Sequence, residues 1–156
     1  MTAWLLDARA FSERVGAASS VKMCRSIMVK GIEALTVECA MAAHRYGVLP
    51  DVLGSLADMF PGMDWNEKAR YLISRALVHG RRRAEEMRES MKTIADAGLD
   101  PVMTRSTAAK QDWAADLGAA PGVARAASAD LDALLAALDH ACGGVSHRKK
   151  GASGRS

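Results

Sequence analysis

An all-α fold, a multi-helix bundle around a long central helix, is predicted for this chain by three features of its sequence. No stretch alternates β-branched with polar residues as a half-buried strand would. Several segments of helical length instead carry apolar residues at helical spacing, each bounded by a capping residue, a glycine or a proline. With 156 residues, 49% of them apolar, the chain has material for one core without help from disulfides.

In chain order, residues 1–15 show no helical period, and Trp4, Leu5, Leu6 and Phe11 read as a residual linker whose apolar groups need cover. A long helix starts at Ser19 or Ser20, both favourable N-caps, and runs to Tyr46. Gly47 stops it and Pro50 lies beyond. It is apolar on nearly every side, through Val21, Met23, Ile27, Met28, Ile32, Leu35, Val37, Ala40 and Met41, which predicts the enclosed central helix. Gly31 within it suggests close approach by a neighbouring helix. A short helix over Asp51–Met59 ends at Pro61-Gly62, and Asp64 caps the next one through Leu77. His79-Gly80 is a soft break, where the helix either continues or restarts, and beyond it Met87, Met91 and Ile94 face one way and Arg82, Glu85, Glu86 and Arg88 the other, up to Gly98. Pro101 opens a helix to Leu117-Gly118, and an alanine-leucine helix covers Val123–Ala141. The domain is therefore 16–142, with 143–156 a basic, glycine- and serine-rich tail with little to bury, expected to be disordered.

Composition narrows the function classes. A net charge of +3 is mild, and the basic residues gather at Arg81–Arg83 and in the tail without interleaved aromatics, which argues against nucleic-acid binding. The apolar runs are broken by charge well short of a membrane span, and no signal-peptide pattern opens the sequence. Cys24, Cys39 and Cys142 lack metal-ligand spacing, so no metal site is assigned. They read as buried reduced thiols of a cytoplasmic protein. Neither a Gly-x-Gly-x-x-Gly nor a Gly-Lys-Ser/Thr loop appears, so no dinucleotide or nucleoside triphosphate cradle is recognisable, and His-Glu-x-x-His and Gly-x-Ser-x-Gly are missing too.

What remains is a stripe. At a hundred degrees per residue, Lys22, Arg25, Ser26, Val29 and Glu33 share about a third of the first helix's circumference. Two cations and a hydroxyl near a helix N-terminus suit a carboxylate or phosphate of a small substrate. Arg25 offers a planar grip, and Lys22 a proton donor or acceptor at the rim of a cleft. The same residues equally form the solvated stripe of an otherwise buried helix.

Gly16-Ala17-Ala18-Ser19-Ser20-Val21-Lys22-Met23, then Lys30-Gly31-Ile32-Glu33-Ala34-Leu35, then Tyr46-Gly47-Val48, resembles the start of the C-terminal helical domain of phosphogluconate dehydrogenase-like and β-hydroxyacid dehydrogenase-like NAD(P)-dependent oxidoreductases. Phe60-Pro61-Gly62-Met63-Asp64-Trp65, His79 to Met87, Ala97-Gly98 and Pro101-Val102-Met103 extend the resemblance to about Gly118. The resemblance implies a fold like the 6-phosphogluconate dehydrogenase C-terminal domain, with Lys22 as the catalytic acid/base handling a substrate hydroxyl proton. It implies substrate contacts from Ser19, Arg25 and Ser26. Arg25 and Ser26 replace a histidine and an asparagine of phosphogluconate dehydrogenase, and Val29 replaces an acid, so another small anionic hydroxy acid is the expected substrate. Where β-hydroxyacid dehydrogenases place a lysine-aspartate pair, this chain has Glu85 and Glu86. His79, Arg82 and Arg83 are near enough to take a cofactor-facing or anion-binding role, with His79 and Arg82 the candidate cofactor contacts. Arg82, Arg83, Glu85 and Glu86 equally read as a salt-bridged solvated face.

The family's nucleotide-binding domain has no counterpart in the sequence. NAD or NADP binding is therefore expected only with a partner nucleotide-binding domain, the chain being a truncated or split member, inactive alone, that forms a homodimer or joins a separate nucleotide-binding subunit. The competing expectation is a non-catalytic helical dimerisation or interaction module.

Overall fold

The structure is a computed structural model that describes residues 16–151, with side chains up to 143. The expected 1–15 linker therefore lies outside the described residues. The described chain is all-α: α1 (Ala17–Arg45), α2 (Leu49–Met59), α3 (Trp65–Asp96), α4 (Val102–Gly118), α5 (Val123–Ala126) and α6 (Leu131–Gly151).

Local chemistry sets most of these ends. Gly47, Gly62 and Gly98 sit at positive φ (69°, 88° and 78°), where an L side chain is strained, and each ends a helix or turn. Asp64 caps α3, its carboxylate accepting from the Asn66 and Glu67 amides at 3.0 and 3.1 Å. Pro50 falls in the first turn of α2, where its missing N–H costs nothing, so α2 begins at Leu49 rather than Asp51.

Four sequence expectations are corrected. α1 is capped not by Ser19 or Ser20 but by Gly16 at φ 89°, and the Ser20 hydroxyl merely donates back to the Gly16 carbonyl at 3.2 Å. α1 is also not enclosed along its length. Its buried residues begin at Glu33, while Val21, Met28, Ile32 and Leu35 remain between 42% and 64% exposed, because α3 and α4 cover one side only. Cys24 and Cys39 follow from this and are exposed, with Cys142 half-buried. Of the two courses open at His79-Gly80 the helix takes the first: α3 continues through for 32 residues, and Gly80 is buried where it crosses α4. A Cβ at Gly80 would lie 2.3 Å from the Gln111 carbonyl oxygen, and one at Gly118 2.5 Å from that of Leu77, whereas Gly31 has ordinary clearance at 3.9 Å. The close helix crossing belongs to α3 and α4, not to Gly31.

The alanine-leucine segment splits into α5 and α6, because the Asp130 carboxylate accepts from the Ala133 amide at 2.8 Å and starts a new helix. α6 continues past Ala141 to Gly151. α3 packs against α1, α2, α4 and α6, and Val37, Ile73, Leu77, Leu117, Leu134, Leu135 and Leu138 form the shared core. Met87, fully buried further along α3, extends the buried face of that helix toward its C-terminus.

Candidate functional site

Between the N-terminal half of α1 and the middle of α3 lies a cleft of about 530 Å³. Lys22, Arg25, Ser26 and Val29 line it from α1, and Tyr71, Arg75, Arg82, Arg83 and Glu86 from α3. The helical stripe drawn from spacing thus faces a concavity rather than open solvent. Arg82, over fifty residues away in sequence, joins it there. Ser19 is exposed and not part of the lining, and His79, half-buried, also lies off it.

Six cationic side chains line the cleft against three carboxylates, and each carboxylate already has a cation. Glu86 pairs with Lys30 at 2.8 Å and Arg82 at 3.5 Å, Glu89 with Lys92 at 2.9 Å, and Glu33 with Arg83 at 2.9 Å. Among the described residues no carboxylate pairs with Lys22, Arg25 or Arg75. The cleft is therefore electropositive, and its walls focus that field on a small anion.

The floor differs from the rim. Lys22 and Arg25 are exposed, and the Arg82 side chain is 69% exposed. Glu33 and Arg83 are both 2% exposed. Gln111 on α4 locks them from below, its Nε2 donating to Glu33 Oε2 at 3.2 Å and to the Lys30 carbonyl at 3.1 Å. Both neighbours are acceptors, which fixes the amide's orientation and leaves Gln111 Oε1 enclosed without a donor.

These positions perturb several groups. Burial pushes the Glu33 carboxyl above its ordinary value, against the pull of Arg83 and Gln111. Burial likewise lowers Arg83, with Glu33 opposing. Burial works to raise Glu86, but Lys30, Arg82 and Arg83 outweigh it and hold the carboxyl below the usual range. His79 is lowered by burial and then by Arg75, Arg83 and Arg82, so it stands neutral at pH 7 beside the cationic cluster.

Glu33 was visible on the sequence stripe, though its burial was not, because helical spacing does not say which part of α1 is covered. Arg83 appeared only within a basic run. Tyr71, Arg75 and Gln111 gave no signal, since only tertiary packing brings α3 and α4 to this face. Among the described residues no three His, Cys, Asp or Glu side chains gather as a metal-binding group. No strand–glycine loop–helix element of the kind that cradles a dinucleotide pyrophosphate occurs there either. No helix among them is long and apolar enough to cross a membrane.

Residues 43–114 match the family described as a domain of unknown function (DUF1932). An uncharacterised 28.5 kDa protein in the 7S RNA 5′ region of Methanothermus fervidus is 31% identical over 94 residues, 60% of this chain and 37% of that protein. A conserved hypothetical protein from Sinorhizobium meliloti 1021 superposes with a TM-score of 0.75 at 36% identity, over 83% of this chain and 42% of its own. The conserved protein MTH1747 of unknown function, described as structurally similar to 3-hydroxyacid dehydrogenases, matches with a TM-score of 0.58 at 40% identity, over 65% of this chain and 38% of its own. The chain thus spans between 37% and 42% of the length of these relatives. In fold and sequence it resembles the C-terminal helical domain of 3-hydroxyacid dehydrogenase-like proteins.

Proposed function

We propose that the α1–α3 cleft is the substrate side of an NAD(P)-dependent oxidation or reduction of a small anionic hydroxy acid, with Lys22 as the proton-transfer residue. The observation that carries this is the meeting of Lys22, Arg25 and Ser26 with Arg82 and Arg83 in one electropositive cleft. The likeness of a structural relative to 3-hydroxyacid dehydrogenases supports the reaction class. Lys22 accepts the hydroxyl proton as the carbinol carbon becomes a carbonyl, and returns it in the reverse direction. Ser26 and Arg25, on the same stripe, orient the substrate. A nicotinamide held by a separate nucleotide-binding domain would supply the hydride acceptor. Docking of such a domain over the exposed rim would also exclude water from Lys22.

The test is turnover of a panel of small hydroxy acids with NAD and NADP, by the chain alone and with a nucleotide-binding domain from a relative added. Turnover is expected only in the combined form, with Lys22→Met lowering kcat at least a hundredfold while melting is unchanged. Full activity of Lys22→Met, or of the chain alone, refutes the proposal.

A second reading is favoured by one observation. Val21, Met28, Ile32 and Leu35 are all exposed on one side of α1, at spacings of three, four and seven residues that align them as a seam. Such a seam suits packing against a second copy of the chain or another subunit, and is compatible with either a catalytic or a purely structural role. Sedimentation of Leu35→Glu separates a dimer, which this substitution dissociates, from a monomer, which it leaves unaltered.

A further inference from the structure

Arg83 is the most deeply buried cation in the cleft, and most of its hydrogen-bonding capacity is unspent. Its side chain is 3% exposed, and its Nε lies 2.9 Å from Glu33 Oε2. That approach is off the N–H direction, so Nε is enclosed beside its counter-ion without an aligned acceptor. Among the described residues Glu33 is its one ion-pair partner. A guanidinium carries five N–H donors, and the terminal nitrogens are not fully enclosed as Nε is, so a ligand in the cleft can reach them.

We propose that Arg83 is the residue that recognises the ligand's carboxylate in this cleft, through a two-point bond from its terminal nitrogens, and that Glu33 and Gln111 are its positioning residues. This rests on reading the cleft as a hydroxy-acid site, but it assigns the anion grip to the floor rather than to Arg25 at the rim. The physical reason is the surroundings. Arg25 is exposed, and its attraction for an anion is screened by water and salt. Arg82 is also exposed and shares Glu86 with Lys30. At Arg83 the local dielectric is low, the fork is held from α1 and α4, and little side-chain freedom is lost on binding. A bidentate carboxylate also completes the donors that Glu33 leaves unused. Glu33 keeps Arg83 from being an isolated buried charge, and its own fixation by Gln111 sets where the fork points.

The test is calorimetric titration of the full chain with 3-hydroxypropionate, with its neutral analogue 3-hydroxypropanamide, and with inorganic phosphate. The wild-type protein is expected to prefer the acid over the amide at least tenfold and over phosphate as well. Arg83→Lys, which keeps the charge but not the fork, is expected to reduce the acid-over-amide preference below threefold with melting little changed. Glu33→Gln should reduce it by a smaller factor, and Arg105→Lys, outside the cleft lining, should leave it intact. Should Arg83→Lys fail to fold, the double variant Arg83→Met/Glu33→Gln removes both charges, and it too should lose the preference. An unchanged preference in Arg83→Lys or in the double variant, no preference in the wild type, or tighter phosphate binding overturns the inference. Loss of the preference in Arg83→Lys with no turnover in any form upholds it while removing the oxidoreductase reading.

Discussion

Replacing Gly80 by alanine puts the α3–α4 crossing to a quantitative test. An added Cβ would stand 2.3 Å from the Gln111 carbonyl oxygen, 3.0 Å from Ala115 Cβ and 3.1 Å from the Ala115 nitrogen. Two of these atoms are backbone, so no side chain can swing aside, and α4 must withdraw by about 1 Å to restore van der Waals separation. Overpacking of this kind costs about 3 kcal/mol at the upper end of its usual range. Alanine returns up to about 1 kcal/mol through its higher helix propensity. The net is a loss of about 2 kcal/mol, which for a chain of this size lowers Tm by about 4–8 °C. Gly31→Ala is the control, because its Cβ would meet only Thr107 Oγ1 at 3.9 Å. With no clash to oppose it, the propensity gain of about 0.5–1 kcal/mol should raise Tm by about 1–4 °C. Differential scanning calorimetry on both variants reads the two signs directly. A Gly80→Ala protein that melts at or above the wild type would refute the close crossing, and with it the positioning of Gln111 beneath Glu33.

Three further outcomes are expected. Arg83→Met should cost about 3–5 kcal/mol, because it strands Glu33 as a buried, unpaired carboxylate; adding Glu33→Gln should restore most of it, as urea denaturation of both variants would show. His79 carries a folded-state pKa below its ordinary 6.5, so its contribution to stability is complete above that value and is lost as pH falls through the lowered one. Denaturation midpoints between pH 7.5 and 5 should therefore fall less steeply for His79→Gln than for the wild type, and equal slopes would contradict the placement of His79 beside the arginines. Asp64→Ala removes the acceptor for the Asn66 and Glu67 amides and should cost about 1 kcal/mol, read as a fall in Tm of about 2–4 °C.

What could be read from the sequence is what short-range chemistry decides. Gly47 and Gly98 are legible as helix ends because their positive φ is a local requirement, and Asp64 because its cap bonds reach only two and three residues ahead. Gly80 looks the same in sequence as a helix-breaking glycine, yet its role is tertiary: it lets α4 approach. Asp130 was hidden because it is one of three aspartates in the alanine-leucine segment, and nothing marks it until its carboxylate is seen capping a new turn. The candidate site divides along the same line. Lys22, Arg25 and Ser26 share a stripe by helical spacing, and all three line one cleft. Arg75, Arg83 and Gln111 enter from helices whose packing no periodicity encodes, and the burial that sets Arg83 apart from Arg82 next to it exists only once α1 and α4 are in place.

A crystal structure of the chain grown with 3-hydroxypropionate is the most direct check on the cleft as a hydroxy-acid site. The ligand is predicted between α1 and α3, with its carboxylate on the terminal nitrogens of Arg83 and its hydroxyl within hydrogen-bond reach of Lys22 Nζ. Density for the acid elsewhere on the surface, or in the cleft with its carboxylate turned to Arg25 and away from Arg83, would contradict it.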